Sequence, residues 1–284
     1  MIVTGATVVA GVVGSPVRHS LSPLIQNAWI KAADVDAVYV ALSPARERFS
    51  ALLDGLRGGA VRGLNVTLPF KEDALATADQ ATERARRAGA ANLLLFEPDG
   101  SIRADNTDGE GLLAAFTDQA PSLDIAARSV VVLGAGGAAR GAVAALLDAG
   151  APEVRVVNRT LERAHALAEA LDDRVTVHEW GGLREALTTA SAVINASSLG
   201  LAGKEPLAVS FDGLQAGSVV MDMVYRPLRT AFLARAASEG FITVDGLAML
   251  IGQARPSFEA FFGQPPPKDV DVRRLAVAAL EEAP

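Results

Sequence analysis

The chain has 284 residues, half of them hydrophobic, enough for two cores of ordinary domain size, about 100 to 200 residues each. A formal net charge of −7 without a long basic run leaves no electrostatic footprint for nucleic acid, because the densest basic stretch, ERARRAG at 83–89, also carries a glutamate. With no cysteine and three scattered histidines, His19, His165 and His178, neither a disulfide framework nor a metal site is expected, and a reducing, cytoplasmic setting fits.

The first fourteen residues, MIVTGATVVAGVVG, are apolar but lack the charged leader of a secretory signal. No uninterrupted apolar run reaches the ~18 residues of a membrane span, so a buried first strand is expected and no membrane segment. SPVRHSLSP then supplies turn and helix-start residues. In the first part of the chain the strand-like runs are TVVAGVV, AVYVALS, VRGLNVTL and ANLLLF, with helical patterns near 23–33, 46–57 and 72–88. In the second they are SVVVLGAG, VRVVNR, VTVHEW, SAVINAS, SVVMDMV and FITV. Runs apolar on both faces, alternating with alanine-rich helices, predict a two-domain α/β chain with mostly parallel sheets covered by helices. A polar, glycine-containing loop in ADNTDGEGLLAAF, 104–116, marks the seam, and GQPPPKD at 263–269 is a turn before a closing helix.

The second half carries the more legible chemistry. After SVVVL comes GAGGAARG, in which Gly134, Gly136 and Ala139 satisfy G-x-G-x-x-G/A at a strand-to-helix turn, where a pyrophosphate rests on backbone N–H groups. The next strand ends about twenty residues later, where an NAD enzyme commonly places Asp or Glu for the ribose 2′-hydroxyl. This chain has NRTLER instead. Arg159 and Arg163, one helical turn apart, suit a 2′-phosphate, with Asn158 and Thr160 completing the pocket, so the cofactor expected is NADP. A capped helix with two solvated arginines is the plainer alternative. Asn195 and Ser197 in SAVINASSLG fall at the sheet edge where ligands collect, although an ordinary Asx/Ser turn explains them as well.

A redox cofactor that passes hydride to a ketone needs an acid beside the nascent alkoxide. Lys71, at the end of NVTLPFK, is the candidate, and Asp108 in ADNTDG is its best carboxylate partner. In HSLSP, Ser20 and Ser22 precede a proline and a helix, a geometry that aims hydroxyls and free N–H groups at an anion. Each residue has a purely structural alternative: Lys71 could begin a solvated helix, Asp108 could cap one, and Ser22 could be an N-cap before Pro23.

Taken in order, HSLSP, NVTLPFK, GAAN, DNTDG, GAGGAAR, NRT, INASSLG, DMVYRP and DGLAMLIGQA resemble the shikimate dehydrogenase family across residues 11 to about 258. The resemblance implies NADP-dependent reduction of 3-dehydroshikimate to shikimate, in aromatic amino-acid (chorismate) biosynthesis, with Lys71 as the proton-transfer residue and Asp108 beside it. It implies that Ser20, Ser22 and Tyr225 hold the substrate carboxylate, and that Thr67, Asn92 and Gln253 bind the substrate and its ring hydroxyls. On the cofactor side it implies Gly134, Ala135, Gly136, Gly137 and Ala138 as the pyrophosphate loop and Asn158 to Arg163 as the clamp. Met223 and Gly246 fall near the nicotinamide, and Glu83 matches an acidic position near the cofactor. Tyr225 as a core aromatic and Gln253 as a surface amide remain alternatives.

The implied architecture is a shikimate-binding domain over 1–108, rejoined by C-terminal helices 247–284, and a Rossmann-like NADP domain over 109–246, with the active site in the cleft between them. A small-molecule partner, no metal, and a monomer or homodimer are expected. Gln26 stands where a histidine is frequent, Leu93 where threonine is common, Ala104 replaces a usual glycine, and Arg255-Pro256 follow Gln253 in place of smaller residues. A quinate/shikimate or aminoshikimate dehydrogenase is the alternative within the class, and a non-catalytic ligand sensor the alternative outside it.

Overall fold

The computed structural model describes residues 2–282. The chain divides into two compact units, 1–107 with 253–284, and 108–252.

In the first unit the elements run β1 (Val8–Val13), α1 (Ser22–Ala32), β2 (Ala37–Leu42), α2 (Phe49–Leu56), β3 (Val61–Val66), α3 (Lys71–Thr77), β4 (Gln80–Ala81), α4 (Glu83–Ala88), β5 (Leu93–Phe96) and β6 (Ile102–Asp105). They build one six-stranded sheet in the order β2-β1-β3-β5-β6-β4. It is mixed: β3–β5 and β5–β6 are antiparallel, the other pairs parallel. The predicted helix over 72–88 is broken. Ala78 is extended, Gln80–Ala81 pair with β6, and Thr82 starts α4 by accepting from the Ala85 N–H at 3.3 Å. One face of the sheet packs Leu64, Val66, Leu94 and Ile102 under α2 and α3, with Phe49 and Phe70 stacked at 4.4 Å and 2°.

The second unit runs α5 (Asp108–Gln119), β7 (Val130–Leu133), α6 (Gly137–Asp148), β8 (Val154–Val157), α7 (Leu161–Leu171), β9 (Val175–His178), α8 (Leu183–Leu187), β10 (Ala192–Asn195), β11 (Val219–Asp222), α9 (Ala231–Ser238) and β12 (Ile242–Val244). Its sheet is wholly parallel, in the order β12-β11-β10-β7-β8-β9. Every residue of β7, β10 and β11 is buried, as strands covered on both faces must be. The period of two sorts them. Val130, Val132 and Ile194 point into a core shared with α5, α6 and α7, while Val131, Leu133 and Val193 point into one shared with α8 and α9. The strand order reverses between β7 and β10, the switch point at which ligands of such sheets bind.

α10 (Gly246–Phe262) and α11 (Val272–Glu282) close the chain. The first unit resumes at Gln253, inside α10, rather than at 247, because the opening turns of this helix pack in the second unit: Ala248 joins its core, and a Cβ on Gly252 would meet Ala114 Cβ at 2.9 Å. From Gln253 on, α10 belongs to the first unit, where Phe258 meets Trp29 edge-on at 5.8 Å. No helix among the described residues is long and apolar enough to cross a membrane.

Candidate active site

In the first unit, the candidate residues gather where β3 leaves the sheet. Thr67 N–H donates to Val13 O at 2.9 Å, Val66 N–H to Asn92 O at 2.8 Å, and Ala91 N–H to Lys71 O at 2.8 Å. These bonds hold Thr67, Lys71 and Asn92 at one end of the sheet. Phe70, fully buried against Phe49, anchors the turn, so half-buried Lys71 opens α3 from a fixed point. Gly14 is required beside this turn: a Cβ there would collide with the Thr67 side chain and come within 3.2 Å of Leu68 O.

Asn92 is the hub of a buried polar network. Its Oδ1 accepts from Thr107 N–H at 2.8 Å, and its Nδ2 donates to Thr107 Oγ1 at 3.0 Å and Gln253 Oε1 at 3.3 Å. Thr107 Oγ1 donates to Gln253 O at 3.1 Å. Asn65 continues the network, donating to Asn92 O at 3.1 Å and Ser257 Oγ at 2.8 Å while accepting from the Tyr39 hydroxyl at 2.8 Å. Burial pushes the Tyr39 hydroxyl well above its ordinary range, so it remains a neutral donor. Gln253 is 9% exposed, which removes the surface-amide alternative.

Ser22 is not an N-cap. α1 begins at Ser22 itself, Leu21 occupies the cap position without a side-chain bond, and Ser22 N–H donates to Ser20 Oγ at 3.2 Å. No acidic residue sits in the first turn, so the positive end of this helix is open to an anion. Gln26, a turn further on, is fully buried, donates to Ala254 O at 3.1 Å, and has no partner for Oε1 among the described residues.

Asp105 and Arg84 escaped the sequence analysis. Arg84 binds Asp105 through Nε at 2.6 Å and Nη2 at 2.5 Å, and Thr82 Oγ1 and Asn106 N–H donate to the same carboxylate at 2.5 and 2.7 Å. Burial alone would raise the Asp105 carboxyl, but these bonds together hold it below the usual range. The clamp fixes the start of the segment Asp105-Asn106-Thr107 that supplies Thr107 to the network.

In the second unit, the candidate cofactor residues lie at the carboxyl edge of the sheet. Gly134, at φ +118°, donates its N–H to Val157 O at 2.9 Å, and a Cβ there would come within 3.3 Å of the Ala196 and Ser197 backbones. A Cβ on Gly136 or Gly137 would meet nothing within 4 Å, and α6 has neither a side-chain cap nor an acidic residue in its first turn. Open space over free helical N–H groups is what a pyrophosphate requires, so the loop fits a dinucleotide. Arg159, Thr160 and Arg163 are exposed, and Asn158 Nδ2 donates to Thr160 O at 2.7 Å, shaping the start of α7.

Asn195 and Ser197 do form an Asx-type turn, with Ser197 N–H and Oγ donating to Asn195 Oδ1 at 3.0 and 2.7 Å. Asn195 is fully buried and also donates to Asp222 Oδ1 at 2.9 Å, so its part is to hold the loop that carries Ser197. Asp222, equally buried, accepts further from Val224 N–H at 3.0 Å and Thr230 Oγ1 at 2.6 Å. Burial pushes its carboxyl above the ordinary range, against these three donors. Met223 N–H donates to Asn195 O at 3.0 Å, and Gly246 is packed on the Met223 carbonyl so closely that no Cβ fits. Tyr225 is half-buried, its hydroxyl raised by burial with Arg226 opposing. Asp108 is half-buried at the first position of α5. Glu83 lies in the first unit, at the start of α4, exposed and 3.8 Å from Arg86. No cluster of His, Cys, Asp and Glu suited to a metal occurs among the described residues.

Residues 12–94 match the shikimate dehydrogenase substrate binding domain, 117–202 the shikimate/quinate 5-dehydrogenase family, and 246–275 the shikimate 5′-dehydrogenase C-terminal domain. The shikimate dehydrogenase (NADP(+)) of Caulobacter vibrioides is 57% identical over 280 residues, covering 99% of this chain and 98% of that one. The chain belongs to the shikimate dehydrogenase family. Among solved structures of this family, the Thermus thermophilus shikimate 5-dehydrogenase in complex with NADP(H) and shikimate superposes with a TM-score of 0.84 at 33% identity, covering 96% of this chain and all of that one. A quinate dehydrogenase from Corynebacterium glutamicum in complex with NAD superposes with a TM-score of 0.86 at 28% identity over 97% of this chain and 99% of that one. Within the shikimate dehydrogenase family, then, fold similarity spans both substrates and both nicotinamide cofactors, and the identity of this chain lies on the shikimate and NADP side.

Proposed function

We propose that this chain is an NADP-dependent shikimate dehydrogenase that interconverts 3-dehydroshikimate and shikimate in aromatic amino-acid biosynthesis, in the cytoplasm. Its second unit binds the cofactor, and most of the residues proposed for the substrate lie in its first. The observation that carries this reading is the 57% identity, over 99% of the chain, to a shikimate dehydrogenase (NADP(+)). Two features of the geometry support it: a buried amide and hydroxyl network that can sort ring hydroxyls, and Arg159 in place of a carboxylate at the end of β8.

When bound, the nicotinamide supplies or receives the hydride at the carbon that bears the reacting oxygen. Lys71 Nζ gives a proton to that oxygen as the ketone is reduced and takes it back in the reverse direction, and Asp108 is the carboxylate assigned to the same substrate. The hydroxyls of Ser20 and Ser22 and the start of α1 bind the substrate carboxylate, joined by Tyr225, whose raised hydroxyl stays a donor at neutral pH. Thr67, Asn92 and Gln253 fix the ring hydroxyls. Gly134 to Ala138 receive the pyrophosphate, Asn158 to Arg163 grip the 2′-phosphate, and Met223, Gly246 and Ser197 border the nicotinamide.

The test is nicotinamide absorbance with purified protein and shikimate or quinate, each with NADP or NAD. Reduction of NADP by shikimate, with the other three mixtures slower by at least ~10-fold, is expected, since a specific polar contact is worth that discrimination or more. Preference for quinate and NAD would overturn the specificity, and no turnover in any mixture would favour a ligand sensor.

A further inference from the structure

Neither the family resemblance nor the mechanism above uses Trp180. It is one of two tryptophans in the chain, and the two differ sharply. Trp29 is 2% exposed in the core of the first unit, whereas Trp180 leaves 38% of its surface open. Among the described residues its ring makes no aromatic or cation–π contact.

Its position in the sheet is specific. β9 lies parallel to β8 with His178 opposite Val157, and Asn158 N–H donates to His178 O at 3.4 Å. Trp180 begins the 3-10 turn Trp180–Gly182, two residues past His178, while Arg159 is two residues past Val157 on the neighbouring strand. With strands ~4.8 Å apart and ~3.3 Å of rise per residue, the two backbones leave the sheet edge side by side, within about 10 Å. Leu161, 36% exposed, opens α7 just beyond Arg159. Two of the exposed large apolar side chains therefore follow β8 and β9, Leu161 within the proposed phosphate clamp and Trp180 beside it.

With its pyrophosphate over Gly136, its 2′-phosphate at Arg159 and its nicotinamide at Met223, as proposed above, a dinucleotide would carry its adenine over the ends of β8 and β9. There the base would need a flat apolar partner, and a partly exposed indole supplies it. We propose that Trp180 stacks on the adenine of the cofactor and is a determinant of dinucleotide affinity. The proposal rests on the reading of the second unit as the dinucleotide site.

Titration of NADP+ into the full chain, followed by tryptophan emission, tests it. Saturable quenching is expected with NADP+ and with 2′,5′-ADP, which carries adenine and the 2′-phosphate but no nicotinamide. Trp180→Phe should lose the quench, leaving only the emission of core-buried Trp29. In Trp180→Ala the Kd for NADP+, measured by calorimetry, should rise about 5- to 30-fold, as alanine substitution does at base-stacking aromatics. Trp180→Phe should recover most of that affinity, with the KM for shikimate within about twofold of the wild type. Unchanged emission on binding, together with an unchanged Kd in Trp180→Ala, overturns the proposal. NAD carries the same adenine, so quenching by NAD and a weakened Kd for NAD in Trp180→Ala support Trp180 even if NAD proves the preferred cofactor. That outcome overturns the Arg159 clamp alone.

Discussion

Lys71 sits one residue after a phenylalanine that is fully buried and stacked, and its carbonyl is tied to Ala91 N–H. Its backbone is therefore fixed from both sides while its side chain remains half-buried, the condition for a proton donor that must meet a substrate at a set distance. Lys71→Ala should lower kcat by about 10²- to 10⁴-fold, the usual range for a lost acid or base, and leave the Kd for NADP+ within about twofold. Steady-state kinetics and calorimetry on the same preparation check both halves, and a comparable loss of cofactor affinity would remove Lys71 from the role. Asn92 is a different kind of residue. It spends Oδ1 and Nδ2 on Thr107 and Gln253, so its contribution is the shape of the pocket as much as any contact with substrate.

At the scale of elements, the ends of β10 and β11 are joined by one buried carboxylate. Asp222 accepts from Asn195, Val224 and Thr230, and so links the loop bearing Ser197 to the loop bearing Met223 and Tyr225. Asp222→Ala would leave these donors buried without a partner and should cost about 2–3 kcal/mol in urea unfolding, with a raised KM for NADP. Asp222→Asn keeps the oxygen that serves Asn195 and Val224 and should retain most of both; equal loss in the two variants would disprove the link. The Rossmann-like unit was legible because its strands are continuous apolar runs and its glycines are locally spaced. The first unit was less so. The predicted helix over 72–88 breaks because Gln80–Ala81 find a partner in β6, a strand that Arg103 disguised, and no local pattern reports such a pairing. Lys71, Asn92 and Gly134 could be placed at strand ends from their motifs, whereas Asn65, Thr107, Asp105 and Asp222, though they lie inside NVTLPFK, DNTDG and DMVYRP, were not singled out. Their roles come from partners distant in the chain, such as Asn65 to Ser257, 192 residues apart.

For the whole molecule, the two units should answer acid differently. In the first, hydrogen bonds from Arg57 and Ser101 hold the Asp79 and Asp99 carboxyls below their ordinary values, and the bonds to Asp105 outweigh its burial to the same effect. A carboxyl depressed in the folded state gives stability that is present above its unfolded pKa, about 3.9, and is lost as pH falls through the folded value. In the second unit Asp222 runs the other way, because burial raises it: between about 3.9 and its higher folded value, falling pH favours the folded form. Glu153, lowered by Arg155 and Thr176 against its burial, opposes Asp222 there, so the second unit carries two groups of opposite sign while the first carries three of one sign. Below about pH 4 the first unit should therefore open before the second. Hydrogen exchange of peptides from β1, β3 and β5 against peptides from β7, β10 and β11 reads this directly, and Trp29 emission in a Trp180→Phe background gives the same transition for the first unit alone. Asp105→Asn should flatten the acid limb of that transition by removing the one strongly buried member of the three. If both units instead lost protection at the same pH, and Asp105→Asn left that pH unchanged, then the Arg84 clamp would not be what acid breaks.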